Sequence, residues 1–212
     1  MAEQASLVLA PVLSRKGLWL NVGGGNLAYP TFENLDIDPT QGGARFVDIR
    51  AGLPYGNESV EVLIASHILE HLHPFWDLPR ILREFYRVMQ PGATLRIAVP
   101  DLSILVECYN KKDFSPLGHT QKTIRNMVGM DFVDMPLSLQ FSAICFGNFS
   151  LGQAYEGHYV AFDAESMRWY LTQLGFVDFA VVQAGQSRHP TLMTLYRDIN
   201  APEQLLCEVT RP

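Results

Sequence analysis

Histidine and glutamate are concentrated in one short stretch, SHILEHLHP at positions 66–74, which holds three of the chain's six histidines. His67 and His71 lie four residues apart, and Glu70 comes directly before the second. This H-x-x-E-H order is the one that inverted zinc hydrolases use, with metal-binding histidines and a glutamate base. The same side chains could instead accept a proton from a substrate, because histidine is the most frequent general base. The residue types allow both kinds of chemistry, and their surroundings must decide between them.

The elements around this stretch favour a role in accepting a proton over a role in binding zinc. VEVLIAS at 60–66 is a near-continuous apolar run, typical of a strand buried on both faces of a parallel sheet. An amphipathic helix is predicted within 74–92, and TLRIAVP at 94–100 is a further buried strand. Together they form a βαβ unit, with the histidines in the loop at the carboxyl end of its first strand. A zinc hydrolase would need both histidines on one helix, and Pro74 ends any helix here within two turns, so that alternative is disfavoured.

A run of three glycines, 23–25, follows the predicted strand LWLNV at 18–22. Glycine lets the backbone approach a ligand closely, and ligands of open α/β sheets bind at the carboxyl ends of strands. Taken literally, GGGNLA also satisfies the G-x-G-x-x-A dinucleotide pattern, which keeps a nicotinamide-dependent oxidoreductase as an alternative. That pattern needs a helix that begins at the loop and meets the pyrophosphate. Here Tyr29 and Pro30 follow too soon for such a helix.

Two aspartates lie at the ends of the next two predicted strands. Asp36 belongs to NLDID at 34–38, and Asp48 to ARFVDI at 44–49. One carboxylate can accept two hydrogen bonds from a ribose diol, and a second acceptor suits the amino group of adenine. The pair therefore suggests an adenosine without phosphates, although aspartate is also common in ordinary turns.

A resemblance to a known family covers most of the chain. The ordered motifs LNVGGGN, NLDIDP, DIRAGLPYGNESVEVLIASHILEHL and LREFYRVMQPGATLRIAVPDL are similar to class I S-adenosylmethionine-dependent methyltransferases of the type 11 group. The later segments GHYVAFDAESMRWYLTQLGF, SRHPTL and LLCEVTRP resemble the closing part of that family. The resemblance implies an α/β fold, with a Rossmann-like, mostly parallel seven-stranded sheet flanked by helices. It also implies S-adenosyl-L-methionine as the cofactor.

The same resemblance implies roles for individual positions. Asp36 would hold the ribose hydroxyls, and Asp48, with the backbone of Ile49, would contact the adenine. The residues around the methionine part and beside the methyl group would be Gly23, Gly24, Gly25, Asn26, Ser66 and His67. The chain departs from the family pattern in two respects. Asn21 stands where an acidic residue is usual, and the link between the glycine run and Asp36 is too short for a full crossover helix.

The protein would not need to activate the methyl group, because a sulfonium methyl group is already electrophilic. The protein has to align the acceptor with the S–CH3 bond and exclude water. An acceptor that must lose a proton also needs a base. We expect His71 and His67 to be the catalytic residues, and we expect no metal ligand among them.

Residues 102–157 interrupt the strand and helix pattern, since the segment is rich in Phe, Met and Leu without a clean period. We expect a helical cap, inserted after the fifth strand of a single methyltransferase domain that spans 1–212. Its aromatic side chains would either line an acceptor pocket or form a hydrophobic core beneath helices. These side chains are Phe132, Phe141, Phe146, Phe149, Tyr155 and Tyr159.

Charge and composition narrow the class of partner. The net charge is -6, with 16 basic against 22 acidic residues and no stripe of Lys and Arg, which argues against nucleic acid. The apolar run LVLAPVL near the N-terminus is far too short to span a membrane, and the three widely spaced cysteines predict reduced thiols. We therefore expect a cytoplasmic protein with a small-molecule acceptor and no membrane partner. The acceptor's identity and the oligomeric state stay open, as does a non-catalytic S-adenosylmethionine-binding partner subunit.

Overall fold

The computed structural model describes residues 16–25, 29–38, 43–117, 131, 134–146, 157–198 and 203–212. Across these ranges, seven strands form one sheet. The strands are β1 (Leu18–Val22), β2 (Glu33–Asp36), β3 (Arg45–Phe46), β4 (Val60–Ser66), β5 (Met89–Pro100), β6 (Val177–Val181) and β7 (Gln204–Thr210). The helices are α1 (Asp77–Val88), α2 (Leu102–Lys111), α3 (Leu137–Phe146), α4 (Ala164–Gln173) and α5 (Leu192–Leu195).

The strand order in the sheet is β3-β2-β1-β4-β5-β7-β6. Strands β1 to β5 pair in parallel, whereas β7 is antiparallel to both β5 and β6. The predicted α/β fold with a mostly parallel, seven-stranded sheet is thereby confirmed. The direction of strand succession reverses between β1 and β4, and the carboxyl ends of these neighbours define the crevice where open α/β sheets bind ligands.

Apolar periodicity explains why the central elements pack as they do. β4 is buried along nearly its whole length, as its continuous apolar sequence predicts. Helix α1 covers the sheet with its apolar face, whose buried members are Leu78, Ile81, Leu82, Phe85 and Val88. Helix α4 is capped at its N-terminus by Asp163, whose carboxylate accepts the Ser166 N–H at 2.8 Å.

The structure corrects the bounds of three predicted strands. β2 runs from Glu33 to Asp36 and so ends two residues before the predicted end at Asp38. β3 ends at Phe46, because the chain turns at Asp48 into a 3-10 helix at Ile49–Ala51. β5 starts at Met89 and not at residue 94, directly after α1. Pro91 is tolerated inside this strand because its pairing with β4 is irregular over the same stretch.

A buried network of charged side chains links β5 to β7 and to Asp198. The Arg96 guanidinium donates two hydrogen bonds to Asp198, at 2.9 and 2.7 Å, and one to Glu208 at 2.6 Å. The three side chains are 1 %, 2 % and 1 % exposed. Because Arg96 lies on β5 and Glu208 on β7, the network fixes the antiparallel pairing of these strands.

The predicted cap is helical where it is described. Helices α2 and α3 and the 3-10 turn Ser115–Leu117 share a hydrophobic cluster that is separate from the core under the sheet. Phe141 packs in this cluster, while Phe146 and Tyr159 are exposed. The other aromatic residues predicted to line the cap, Phe132, Phe149 and Tyr155, lie outside the described residues. None of the described helices is long and apolar enough to cross a bilayer.

Candidate active site

The glycine run forms a tight turn at the carboxyl end of β1. Gly23 and Gly25 have φ values of +70° and +51°, which glycine adopts readily. The N–H groups of Gly23 and Gly24 both donate to the Leu35 carbonyl, at 2.8 and 3.1 Å. A Cβ at Gly23 would lie 2.5 Å from the Ile68 side chain, whereas at Gly25 nothing in the described structure lies within 4 Å of one. The turn is thus packed on one side and open on the other.

Asp36 ends β2, as predicted, and holds the glycine turn. Its Oδ2 accepts the Gly25 N–H at 2.8 Å, and its Oδ1 accepts the Asp38 N–H at 2.8 Å. The side chain is buried. A carboxylate offers about four lone-pair sites, so each oxygen keeps one for a ligand hydroxyl. The arrangement fits the ribose role that the sequence assigned to this residue.

Asp48 lies beyond the end of β3, where it caps the 3-10 turn. It accepts the backbone N–H of Arg50 at 3.0 Å and forms a two-pronged pair with the Arg50 guanidinium. The hydrogen bond from that guanidinium lowers the pKa of Asp48 below its ordinary value. Ile49 begins the turn itself. An adenine amino group would share this carboxylate with Arg50.

Asn21 and Asn34 give a structural reason for the first departure from the family pattern. The Asn21 amide donates to Asn34 Oδ1 at 3.0 Å, and both side chains are buried. Asn34 in turn donates to the Tyr29 and Phe32 carbonyls at 2.9 and 3.0 Å. These bonds tie the start of β2 to the residues just before it, and no helix is present in the described residues 29–32. Sequence reasoning missed Asn34, and its amide-rich neighbourhood offered no pattern to find it.

His67 follows the buried Ser66 at the carboxyl end of β4 and has a φ of +54°, unusual for a residue with a side chain. Its Nδ1 lies 3.1 Å from Glu70 Oε1, and its Nε2 lies 2.5 Å from the side-chain amide of Gln204. Burial by itself lowers the pKa of His67, but the bond to Glu70 raises it, and the net shift is upward. Both ring nitrogens are therefore engaged inside the protein.

Glu70 is 1 % exposed, which is rare for a carboxylate. Burial by itself raises its pKa, but the hydrogen bond with His67 and the nearby imidazoles lower it, and the net shift is downward. His71 comes next in the 3-10 turn Leu69–His71, and its ring lies 4.7 Å from that of His158 in an edge-to-face contact. His158 is distant in sequence, and the structure brings it beside Glu70 and His71.

The structure thus groups the predicted site residues in two places. The glycine turn and Asp36 share the ends of β1 and β2, while Ser66, His67 and His71 share the end of β4. Ile68 connects the two groups, because its side chain packs on Gly23. Asn26 lies outside the described residues. His189 packs edge-on against Trp19, with the ring centres 5.2 Å apart.

Comparisons with known proteins give a family match for part of the chain and a shared fold. Residues 31–97 match the family model described as a methyltransferase domain. This range includes Asp36, Asp48 and residues 67–71, which we call the histidine turn. No curated protein matches the chain.

Solved structures share the fold. One is from Thermotoga maritima, described as an S-adenosylmethionine-dependent methyltransferase and possible histamine N-methyltransferase. It is 17 % identical with a TM-score of 0.55, covering 94 % of this chain and 84 % of that one. Another is an S-adenosylmethionine-dependent methyltransferase from Archaeoglobus fulgidus, 14 % identical with a TM-score of 0.52, covering 99 % of this chain and 92 % of that one.

Proposed function

We propose that the chain is a class I S-adenosylmethionine-dependent methyltransferase, with S-adenosylmethionine as its cofactor and a small molecule as its acceptor. The proposal is supported by the methyltransferase-domain match over residues 31–97 and by the fold that the chain shares with solved methyltransferase structures. One observation carries the proposal: Asp36, at the end of β2, is hydrogen-bonded to Gly25 of the turn after β1. This bond holds the Asp36 carboxylate, proposed to bind the ribose, beside the glycine turn at the carboxyl ends of β1 and β2. The cofactor supplies an electrophilic methyl group on a sulfonium.

The residues of the crevice would divide the binding of the cofactor among them. Asp36 would accept the ribose hydroxyls with its remaining lone pairs, and Asp48 with the Ile49 backbone would contact the adenine. The open side of the turn at Gly25 would let the methionine part approach the backbone closely, because no side chain intrudes there. Ser66, at the end of β4, would lie beside the methyl group.

We propose that a histidine of the histidine turn takes up the proton that the acceptor loses. His67 is the weaker candidate as a base, because Glu70 and Gln204 engage both of its ring nitrogens. We assign His67 to positioning Glu70 and keep His71 as the proposed proton acceptor. A small-molecule acceptor is supported by the acidic net charge and by the cap helix α2, which begins directly after β5.

Calorimetric titration with S-adenosylhomocysteine tests the binding half of the proposal. We expect one site per chain, and absence of heat at micromolar protein would contradict it. Incubation with S-adenosylmethionine and a panel of hydroxyl and amine acceptors, read out as S-adenosylhomocysteine formation, tests the transfer half. Binding without turnover on any acceptor would favour the non-catalytic subunit instead.

A matched pair of variants tests the role of His71. His71→Ala should lower turnover while leaving the affinity for S-adenosylhomocysteine within about twofold, because His71 does not hold the cofactor in this proposal. His73→Ala is the control, since its ring lies in the same loop but packs beside Trp76 and Tyr159. Loss of binding in His71→Ala would assign that histidine to the cofactor site.

A further inference from the structure

Three side chains beside the proposed methyl site could hold a metal ion. Glu70, His71 and His158 each offer one ligand atom, and these atoms all lie within 4.8 Å of one another. We call these residues the Glu70 cluster. Its composition differs from the zinc motif that the sequence suggested, because His67 is bonded to Glu70 and His158 takes its place beside His71.

An unsatisfied oxygen points to a missing partner in this cluster. Glu70 Oε1 is bonded to His67, whereas Glu70 Oε2 has no hydrogen-bond partner in the described part of the chain. A buried carboxylate oxygen without a partner is costly, and such groups normally coordinate a metal or are paired. With Oε1 occupied, Oε2 is the oxygen that remains for a ligand bond.

Backbone hydrogen bonds hold the segment that carries His158 next to Glu70. The Tyr159 and Val160 N–H groups donate to the Glu70 carbonyl, at 2.8 and 3.4 Å, and hold the His158 segment against the turn. The His158 ring lies edge-on to that of His71, with the ring centres 4.7 Å apart, so the two imidazoles come to the cluster from different segments of the chain.

We propose that Glu70, His71 and His158 bind a divalent transition-metal ion such as Zn²⁺, through one carboxylate oxygen and two imidazole nitrogens. Two histidines and a glutamate are one of the sets found in zinc enzymes that keep a fourth, open position. Tetrahedral ligands at about 2.0–2.1 Å from zinc lie roughly 3.3 Å apart. The side chains therefore need to close by at most about 1.5 Å from their present separation.

A metal ion here would have a defined chemical consequence. A hydroxyl bound at the open position loses its proton more easily, and the proton can pass to solvent without a protein base. The part of the cluster that carries Glu70 follows β4 in the same loop as Ile68, whose side chain packs on Gly23 of the glycine turn. With the ion bound, His71 is a ligand and not the base. The catalytic consequence rests on the proposed methyl transfer, whereas the metal site itself does not.

The test is a titration of metal-free protein with Zn²⁺ against a competing chelator, with bound zinc measured per chain. Replacement by Co²⁺ gives a second readout, the visible absorption of a tetrahedral site. We expect one ion per chain in the wild type and in the control His73→Asn. His158→Asn should lose at least about tenfold in affinity, since even outer-shell changes cost 10–100-fold.

Glu70→Gln should also lose the ion, and its thermal unfolding must be measured because the residue is buried. If Glu70→Gln does not fold, His158→Asn decides alone, because His158 is less buried. Absence of stoichiometric zinc in the wild type, or unchanged affinity in His158→Asn, overturns the proposal. Titration of the metal-free protein with S-adenosylhomocysteine separates the two failures. If S-adenosylhomocysteine binds but zinc does not, only the metal site is contradicted, and if zinc binds but S-adenosylhomocysteine does not, only the proposed methyltransferase is contradicted.

Discussion

Replacing Asp36 by Asn should weaken cofactor binding and loosen the glycine turn together. The Asp36 carboxylate accepts two backbone N–H groups, from Gly25 and Asp38, each at 2.8 Å. An Asn side chain of the same shape has one acceptor oxygen, and its NH2 group faces the other N–H as a second donor. One of the two bonds is therefore lost in the variant.

The size of the effect follows from the charge on the acceptor. A hydrogen bond to a charged group contributes about 1.5–3 kcal/mol, so the free energy of unfolding should fall by about that amount. For a chain of this length 1 kcal/mol corresponds to about 2–4 °C in Tm, which gives a decrease of about 3–12 °C. Loss of one ribose hydrogen bond of the same kind should raise the Kd for S-adenosylhomocysteine by about 10–150-fold.

Calorimetric titration measures the Kd, and thermal unfolding followed by circular dichroism measures the Tm. Asp113→Asn is the matched control, because its carboxylate also accepts a backbone N–H, that of Ser115 at 2.8 Å, but lies exposed after α2. We expect this control to leave the Kd unchanged and the Tm nearly so. An unchanged Kd in Asp36→Asn, with or without a lower Tm, would refute the assignment of Asp36 to the ribose.

Three further substitutions test other parts of the structure. Gly23→Ala should abolish binding of S-adenosylhomocysteine in the same titration, because φ is +70° and the new Cβ would lie 2.5 Å from Ile68. Arg96→Met should lower the free energy of unfolding by about 3–5 kcal/mol, measured by urea denaturation, since it leaves two buried carboxylates without their cation; a loss under about 1 kcal/mol would contradict this. Asp163→Ala should cost about 1 kcal/mol in the same assay at neutral pH, through loss of the N-cap. Its hydrogen bonds with Ser166 lower the pKa of Asp163, so this difference should shrink as the pH falls through the ordinary value of 3.8 and below.

Local sequence patterns predicted the central elements well. The bounds of β1 and β4 agree with those read from their apolar runs. These features depend on residues that are close in sequence, so propensity and periodicity suffice to find them. Weaker agreement at β3 and β5 has a local cause as well, because an aspartate cap shortens the first and an irregular pairing extends the second.

The site shows the limit of such reasoning. The glycine turn and Asp36 could be predicted, because each follows a strand and parallel strands end at the same edge of a sheet. Asn34 and the partners of His67 could not be predicted in the same way. Gln204 reaches His67 from the far end of the chain, and only the insertion of β7 beside β5 makes that contact.

The histidine turn separates the two kinds of information most clearly. The sequence by itself determined that a histidine-rich loop follows a buried central strand and that an α/β sheet positions it. Only the tertiary structure decided that His67 turns inward to Glu70 and that His158 arrives beside His71. The physical reason is that a strand is specified by its own side chains, whereas a buried carboxylate is satisfied by whichever groups the fold brings to it from distant segments.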